Sequence, residues 1–109
     1  MVKMKRKENI EGCSVECTLN VLCGKWKGII IFHLLKYGIL RFSELQKLLK
    51  NIVTQRMLTM QLRDLEKEGI VSRHIYPTVP PKVEYFLTDK GKSLAVIIQG
   101  LNDWGSDYC

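Results

Sequence analysis

The sequence predicts an α+β domain that is mainly helical, and two stretches carry that expectation. Between residues 41 and 68, two amphipathic helical patterns flank a four-residue turn. Directly after them, over residues 71–87, strand-like alternation runs on either side of a proline-rich tip. Two helices joined by a tight turn and followed at once by a hairpin is the element order of a winged helix-turn-helix, with further helices on both flanks.

The chain has 109 residues, enough for one domain. At 46% apolar it can build only a small core, so a second copy that buries further apolar surface is expected. The net charge of +6 favours polyanionic partners such as nucleic acid. No apolar run approaches the roughly 18 residues of a membrane span. No apolar segment of signal-peptide length follows the basic N-terminus. A cytoplasmic protein with no membrane partner is therefore expected. There is no phosphate-binding glycine loop, nucleophile motif or clustered acid/base pair, which argues against an enzyme. The run Cys13-x3-Cys17-x5-Cys23, with Cys109 and two distant histidines, lacks the close paired spacing of structural zinc sites. No metal and no cofactor are expected, and in a reducing cytosol the thiols should stay free.

Residues 1–12, which include Lys3, Lys5, Arg6 and Lys7, read as a flexible basic arm, and residues 13–109 as a single domain. A short first helix is expected over 14–23, with Leu19, Leu22 and Cys23 facing one way. Gly24 separates it from a stronger helix, 25–37, in which Trp26, Ile29, Ile30, His33 and Leu34 recur at helical spacing. That helix is apolar on most sides and is the expected core element, with His33 a hydrogen-bonded core histidine. Ile39-Leu40-Arg41 is a short strand suited to pairing with the later hairpin.

The helix-turn-helix spans about 43–68. Ser43 is placed to cap its first helix, with Gln46 three residues on as in a capping box. Lys50-Asn51-Ile52-Val53 form the turn. Thr54 caps the second helix, which ends before Gly69. Leu58, Leu62 and Leu65 share one stripe of that helix; Arg56, Thr59, Met60, Arg63 and Lys67 lie opposite, and Gln55 sits at the exposed start. Such a face suits a DNA major groove: Arg pairs bidentately with guanine, Gln with adenine, and Thr reaches bases or phosphates. In the wing, about 71–87, Arg73, His74 and Lys82 flank the tip Pro77-Thr78-Val79-Pro80-Pro81. Together with Arg41 and Ser43 at the start of the motif, they are candidates for backbone contacts that position a protein without reading sequence.

Thr88 caps a last helix, about 88–108, with Asp89 in its first turn, where a negative charge suits the helix dipole. Leu94, Ile97, Ile98, Leu101, Trp104 and Tyr108 form a long stripe ending in aromatics, expected to pair with a second copy. A two-fold dimer would set its recognition helices about 34 Å apart. The alternative is a winged helix used as a protein-interaction module without sequence-specific DNA binding. That reading calls for aromatic or aliphatic anchors on the exposed helix face, where Met60 is the only one.

Several short motifs occur in order: Gly24-Lys25-Trp26, Arg41-Phe42-Ser43-Glu44-Leu45, Gln55-Arg56-Met57-Leu58, Leu62-Arg63-Asp64-Leu65-Glu66 and Gly69-Ile70-Val71. Tyr76-Pro77, Val79-Pro80-Pro81-Lys82-Val83-Glu84-Tyr85, Leu87-Thr88 and Lys90-Gly91 follow. Over residues 13–108 this pattern resembles the HxlR-type family of winged helix-turn-helix transcriptional regulators, relatives of the MarR group. One departure is Asn51-Ile52-Val53, where many members carry Pro or Gly before the isoleucine. The resemblance implies a bacterial or archaeal homodimer built from the first and last helices. It also implies recognition of an inverted-repeat operator in double-stranded DNA by the second helix of the motif and by the wing. A cysteine thirteen positions before the tryptophan recurs in the family and is the redox sensor of several members; here it is Cys13. A helix start and nearby lysines favour a reactive thiol there, while Glu11 and Glu16 oppose it. In a dimer made from the terminal helices, Cys109 of one chain is a candidate partner for Cys13 of the other. No residue pattern specifies a small-molecule effector.

Overall fold

The computed structural model describes residues 11–22, 24–50 and 52–109. Residues 1–10 of the expected basic arm, together with Cys23 and Asn51, lie outside the described residues. The elements run α1 (Cys13–Leu22), α2 (Lys27–Tyr37), β1 (Ile39–Arg41), α3 (Phe42–Leu48), α4 (Gln55–Lys67), β2 (Val71–Tyr76), β3 (Lys82–Leu87), α5 (Asp89–Lys92) and α6 (Ala95–Tyr108). The three strands form an antiparallel sheet of order β1-β3-β2. Arg41 lies opposite Glu84 in one ladder, and His74 lies opposite Glu84 in the other. This is the expected mainly helical α+β winged helix-turn-helix.

The core forms where α2 crosses α3, α4 and the sheet. Ile30, Ile31 and Leu34 of α2 are buried with Leu45 of α3, with Leu58, Leu62 and Leu65 of α4, and with Leu40, Val71, Tyr85 and Leu87 of the sheet. Burying each such side chain contributes roughly 1.5–3 kcal/mol. The leucine stripe of α4 is therefore the inward face that its periodicity predicts. Ile29, expected in the same core, is exposed. It sits about 100° round the helix from Ile30 and lines an apolar groove with Leu22, Phe32, Ile98 and Leu101. His33 also departs from expectation. Its Nδ1 is buried with no hydrogen-bond partner among the described residues, and its ring lies against Phe32 at 5.3 Å and Tyr37 at 6.2 Å. Burial, and then the charge of Lys36, hold its pKa below the ordinary 6.5.

The start of the helix-turn-helix and the course of the last helix differ from the sequence reading. The first helix of the motif begins at Phe42, so Arg41 rather than Ser43 takes the cap position. The Arg41 backbone N–H donates to Glu44 Oε1 at 2.8 Å, which is the reciprocal half of a capping box, two residues earlier than expected. The cause is β1, which holds the chain extended through Arg41. The last helix is broken: α5 is capped by Thr88, whose Oγ1 accepts from the Gly91 N–H at 3.0 Å, and α6 starts afresh at Ala95. The terminal stripe consequently divides. Leu94 and Ile98 are buried in the chain's own core, while Ile97, Leu101, Trp104 and Tyr108 stay exposed, Trp104 at 62% and Tyr108 at 73%. At the other end α1 buries none of its residues fully, and Leu19 is 59% exposed.

Candidate nucleic-acid interface

The site is built on α4. The Thr54 hydroxyl accepts from the Met57 N–H at 3.1 Å and so caps the helix as expected. At the far end Gly69 takes φ +74°, its N–H donates to the Glu66 carbonyl, and the Ile70 N–H donates to the Leu65 carbonyl. This pair is a Schellman motif, and the positive φ is why glycine stands there. Two links from α5 hold that end down: Lys90 Nζ donates to the Glu68 carbonyl at 2.8 Å, and Thr88 Oγ1 to the Gly69 carbonyl at 2.6 Å. Midway, Lys27 of α2 pairs with Asp64 at 3.6 Å. The recognition-type helix is thus fixed at both ends and along its back. Sequence reasoning missed the links made by Lys90, Thr88 and Lys27 because each joins residues far apart in the chain.

Opposite the leucine stripe, Gln55, Arg56, Thr59, Met60 and Arg63 line one shallow depression in the surface. All are exposed except Thr59, which is half-buried. Among the described residues neither arginine has an ion-pair partner. Thr59 Oγ1 donates to the Gln55 carbonyl at 2.8 Å, so its hydroxyl proton is already committed within the helix.

The wing is less cationic than its sequence suggests. Alternation along β2 turns Arg73 toward α4, where its Nε meets Glu66 Oε2 at 3.1 Å. Lys82 lies over the Tyr76 ring at 4.6 Å and pairs with Glu84 at 3.6 Å. Tyr76 donates its hydroxyl to Glu84 Oε1 at 2.9 Å, and that bond raises the Tyr76 pKa above its ordinary value. His74 packs edge-on against Tyr76 at 4.3 Å and remains exposed. Of the three expected wing contacts, two therefore carry a carboxylate beside the cation. Arg41 and Ser43 are exposed at the start of α3. Cys13 and Cys17 are half-buried free thiols, and Cys109 is an exposed one. Among the described residues no cluster of three or more metal-ligating side chains occurs, and no helix is long and apolar enough to cross a membrane.

Residues 21–109 match the model of the HxlR-like helix-turn-helix family. The chain belongs to that family. Among HxlR-like relatives it is 52% identical over 101 residues to the HTH-type transcriptional regulator YdeP of Bacillus subtilis (strain 168), covering 93% of this chain and 77% of YdeP. The structure of the redox regulator HypR in its oxidised form superposes with a TM-score of 0.82 at 48% identity, covering 89% of this chain and 98% of HypR. A MarR-family transcriptional regulator from Porphyromonas gingivalis W83 superposes with a TM-score of 0.84 at 30% identity, covering 99% of this chain and all of that one. The HxlR-like chain described here is a helix-turn-helix transcriptional regulator.

Proposed function

We propose that the protein binds an inverted-repeat operator in double-stranded DNA as a cytoplasmic homodimer, reading bases with α4 and gripping phosphates with the wing. The observation that carries this is the exposed face of Gln55, Arg56, Thr59 and Arg63 on a helix anchored at both ends. Thr54, Arg41 and Ser43 stand where a phosphate backbone would pass, and Arg73, His74 and Lys82 line the wing. The dimer reading is supported by what the protomer leaves uncovered: Ile97, Leu101, Trp104 and Tyr108 on α6, and Val15 and Leu19 on α1. Large apolar side chains at this density on two terminal helices suit an interface more than open solvent.

Control by oxidants through Cys13 is part of the proposal. HypR is a redox regulator, and Cys13 opens α1 as a free thiol, while Cys109 closes α6. In the dimer the two would form an intersubunit disulfide, giving two electrons and two protons to the oxidant. Gel shifts with the protein's own upstream DNA, with and without diamide, test both parts. A specific complex whose affinity changes with diamide is the expected result, together with a cross-linked dimer on non-reducing gels that Cys13→Ser and Cys109→Ser each abolish. Failure to prefer any duplex over random DNA would overturn the operator reading. Undiminished cross-linking in both variants would overturn the disulfide.

A further inference from the structure

The base-reading face is not uniformly polar. Arg56 and Arg63 are seven residues apart, about 10 Å along the helix axis, or roughly three base-pair steps at 3.4 Å each. Between them lie Thr59 and Met60, each three or four residues from both arginines and on the same surface. Met60 presents a flexible thioether chain, 48% exposed. Thr59 looks like a hydrogen-bond donor by residue type, but its hydroxyl proton points at the Gln55 carbonyl 2.8 Å away. What it offers a partner is its methyl group and an oxygen that can only accept. The centre of the face is therefore an apolar spot bracketed by two guanidinium groups.

We propose that Thr59, backed by Met60, reads the 5-methyl group of a thymine at a position between two guanines contacted by Arg56 and Arg63. In the major groove the thymine methyl is the one apolar group on a base edge. An acceptor-and-methyl surface meets it with no unsatisfied donor left behind. This inference rests on the DNA-binding reading of α4 and adds the base identity at its centre. It also assigns Thr59 a specificity role distinct from the phosphate contact that a free hydroxyl would make.

The test begins with duplexes enriched from a randomised library by the full-length protein. Each thymine of the enriched half-site is then replaced in turn by deoxyuridine, which lacks only the methyl. At one central position the substitution should weaken binding about fourfold, the factor expected for one methyl leaving an apolar contact. Thr59→Ser keeps the bond to Gln55 but lacks the methyl, and should bind the thymine and uracil duplexes alike. Thr59→Val keeps a methyl and lacks the hydroxyl, and should still prefer thymine. Indifference of the parent protein to every thymine-to-uracil change, or full discrimination by Thr59→Ser, would overturn the assignment while leaving operator binding intact. Enrichment of no duplex at all would instead bring down the DNA-binding reading beneath it.

Discussion

The Arg73–Glu66 pair sets up a test of how the wing grips DNA. The Arg73 Nε is held by the Glu66 carboxylate at 3.1 Å, with the two side chains 44% and 25% exposed. The terminal amino groups of Arg73 remain available to a phosphate, but a carboxylate beside them offsets their charge. Glu66→Gln keeps an acceptor for Nε and deletes that negative charge, so each protomer gains one effective cation beside the duplex. Each phosphate neutralised adds about 0.9 to the slope of log affinity against log salt. For a dimer the slope should steepen by about 1.8, an extra loss of roughly twelvefold in affinity between about 50 and 200 mM salt. At the lower salt the variant should bind tighter, and equally so on operator and random-sequence DNA, because a phosphate contact carries no base information. Fluorescence anisotropy of a labelled duplex across a potassium chloride series measures the slope. Thermal unfolding checks that the fold is intact, since a partly exposed ion pair contributes under about 1 kcal/mol. A slope unchanged from the parent would refute the idea that Glu66 holds back the Arg73 charge.

Arg56→Ala should lower operator affinity by about 1–3 kcal/mol and relax preference at one base pair, as read by competition with substituted duplexes. Gly91→Ala should lower stability by on the order of 3 kcal/mol in chemical unfolding, because a Cβ there runs into the Ile70 carbonyl and crowds Leu87. Trp104→Asp, on the exposed α6 face, should weaken self-association by about 2 kcal/mol or more in sedimentation, as loss of a central aromatic does, and take specific DNA binding with it. Protein stability should decline as the pH falls below about 6.5. The folded pKa of His33 lies beneath its unfolded value, so the unfolded chain takes up the proton first. His33→Leu should flatten that part of a melting-temperature profile.

Local pattern and long-range contact divide what the sequence made legible. The inward stripe Leu58-Leu62-Leu65, the Thr54 cap and the Gly69 stop are all set within one helix, and the structure has them as read. The Ser43 cap failed because it depended on where β1 ends, and β1 exists only by pairing with β3. The stripe from Leu94 to Tyr108 was visible as one face. Periodicity gives the direction of a face and not how far the body of the domain reaches along it, so the division after Ile98 could not be read. Likewise Arg73 and Lys82 were legible as cations near a hairpin tip. The pairing of Arg73 with Glu66 depends on which side of β2 faces α4, a matter of docking that residue type does not encode, whereas Lys82 and Glu84 stand two apart on β3 and share a face by strand alternation alone.

The first helix has ten residues, buries none of them fully and meets its own protomer's core only through Val21 and Leu22 at its end, among the described residues. Isolated helices of that length are marginal in water. For the proposed dimer this ties the folding of α1 to encounter with a second copy, so helical content should climb as protein concentration rises through the association range. Newly made, dilute chains would then present a frayed leading segment to proteases, and only paired chains would be shielded. Cellular lifetime, and with it the working level of the regulator, would follow from how often two copies meet.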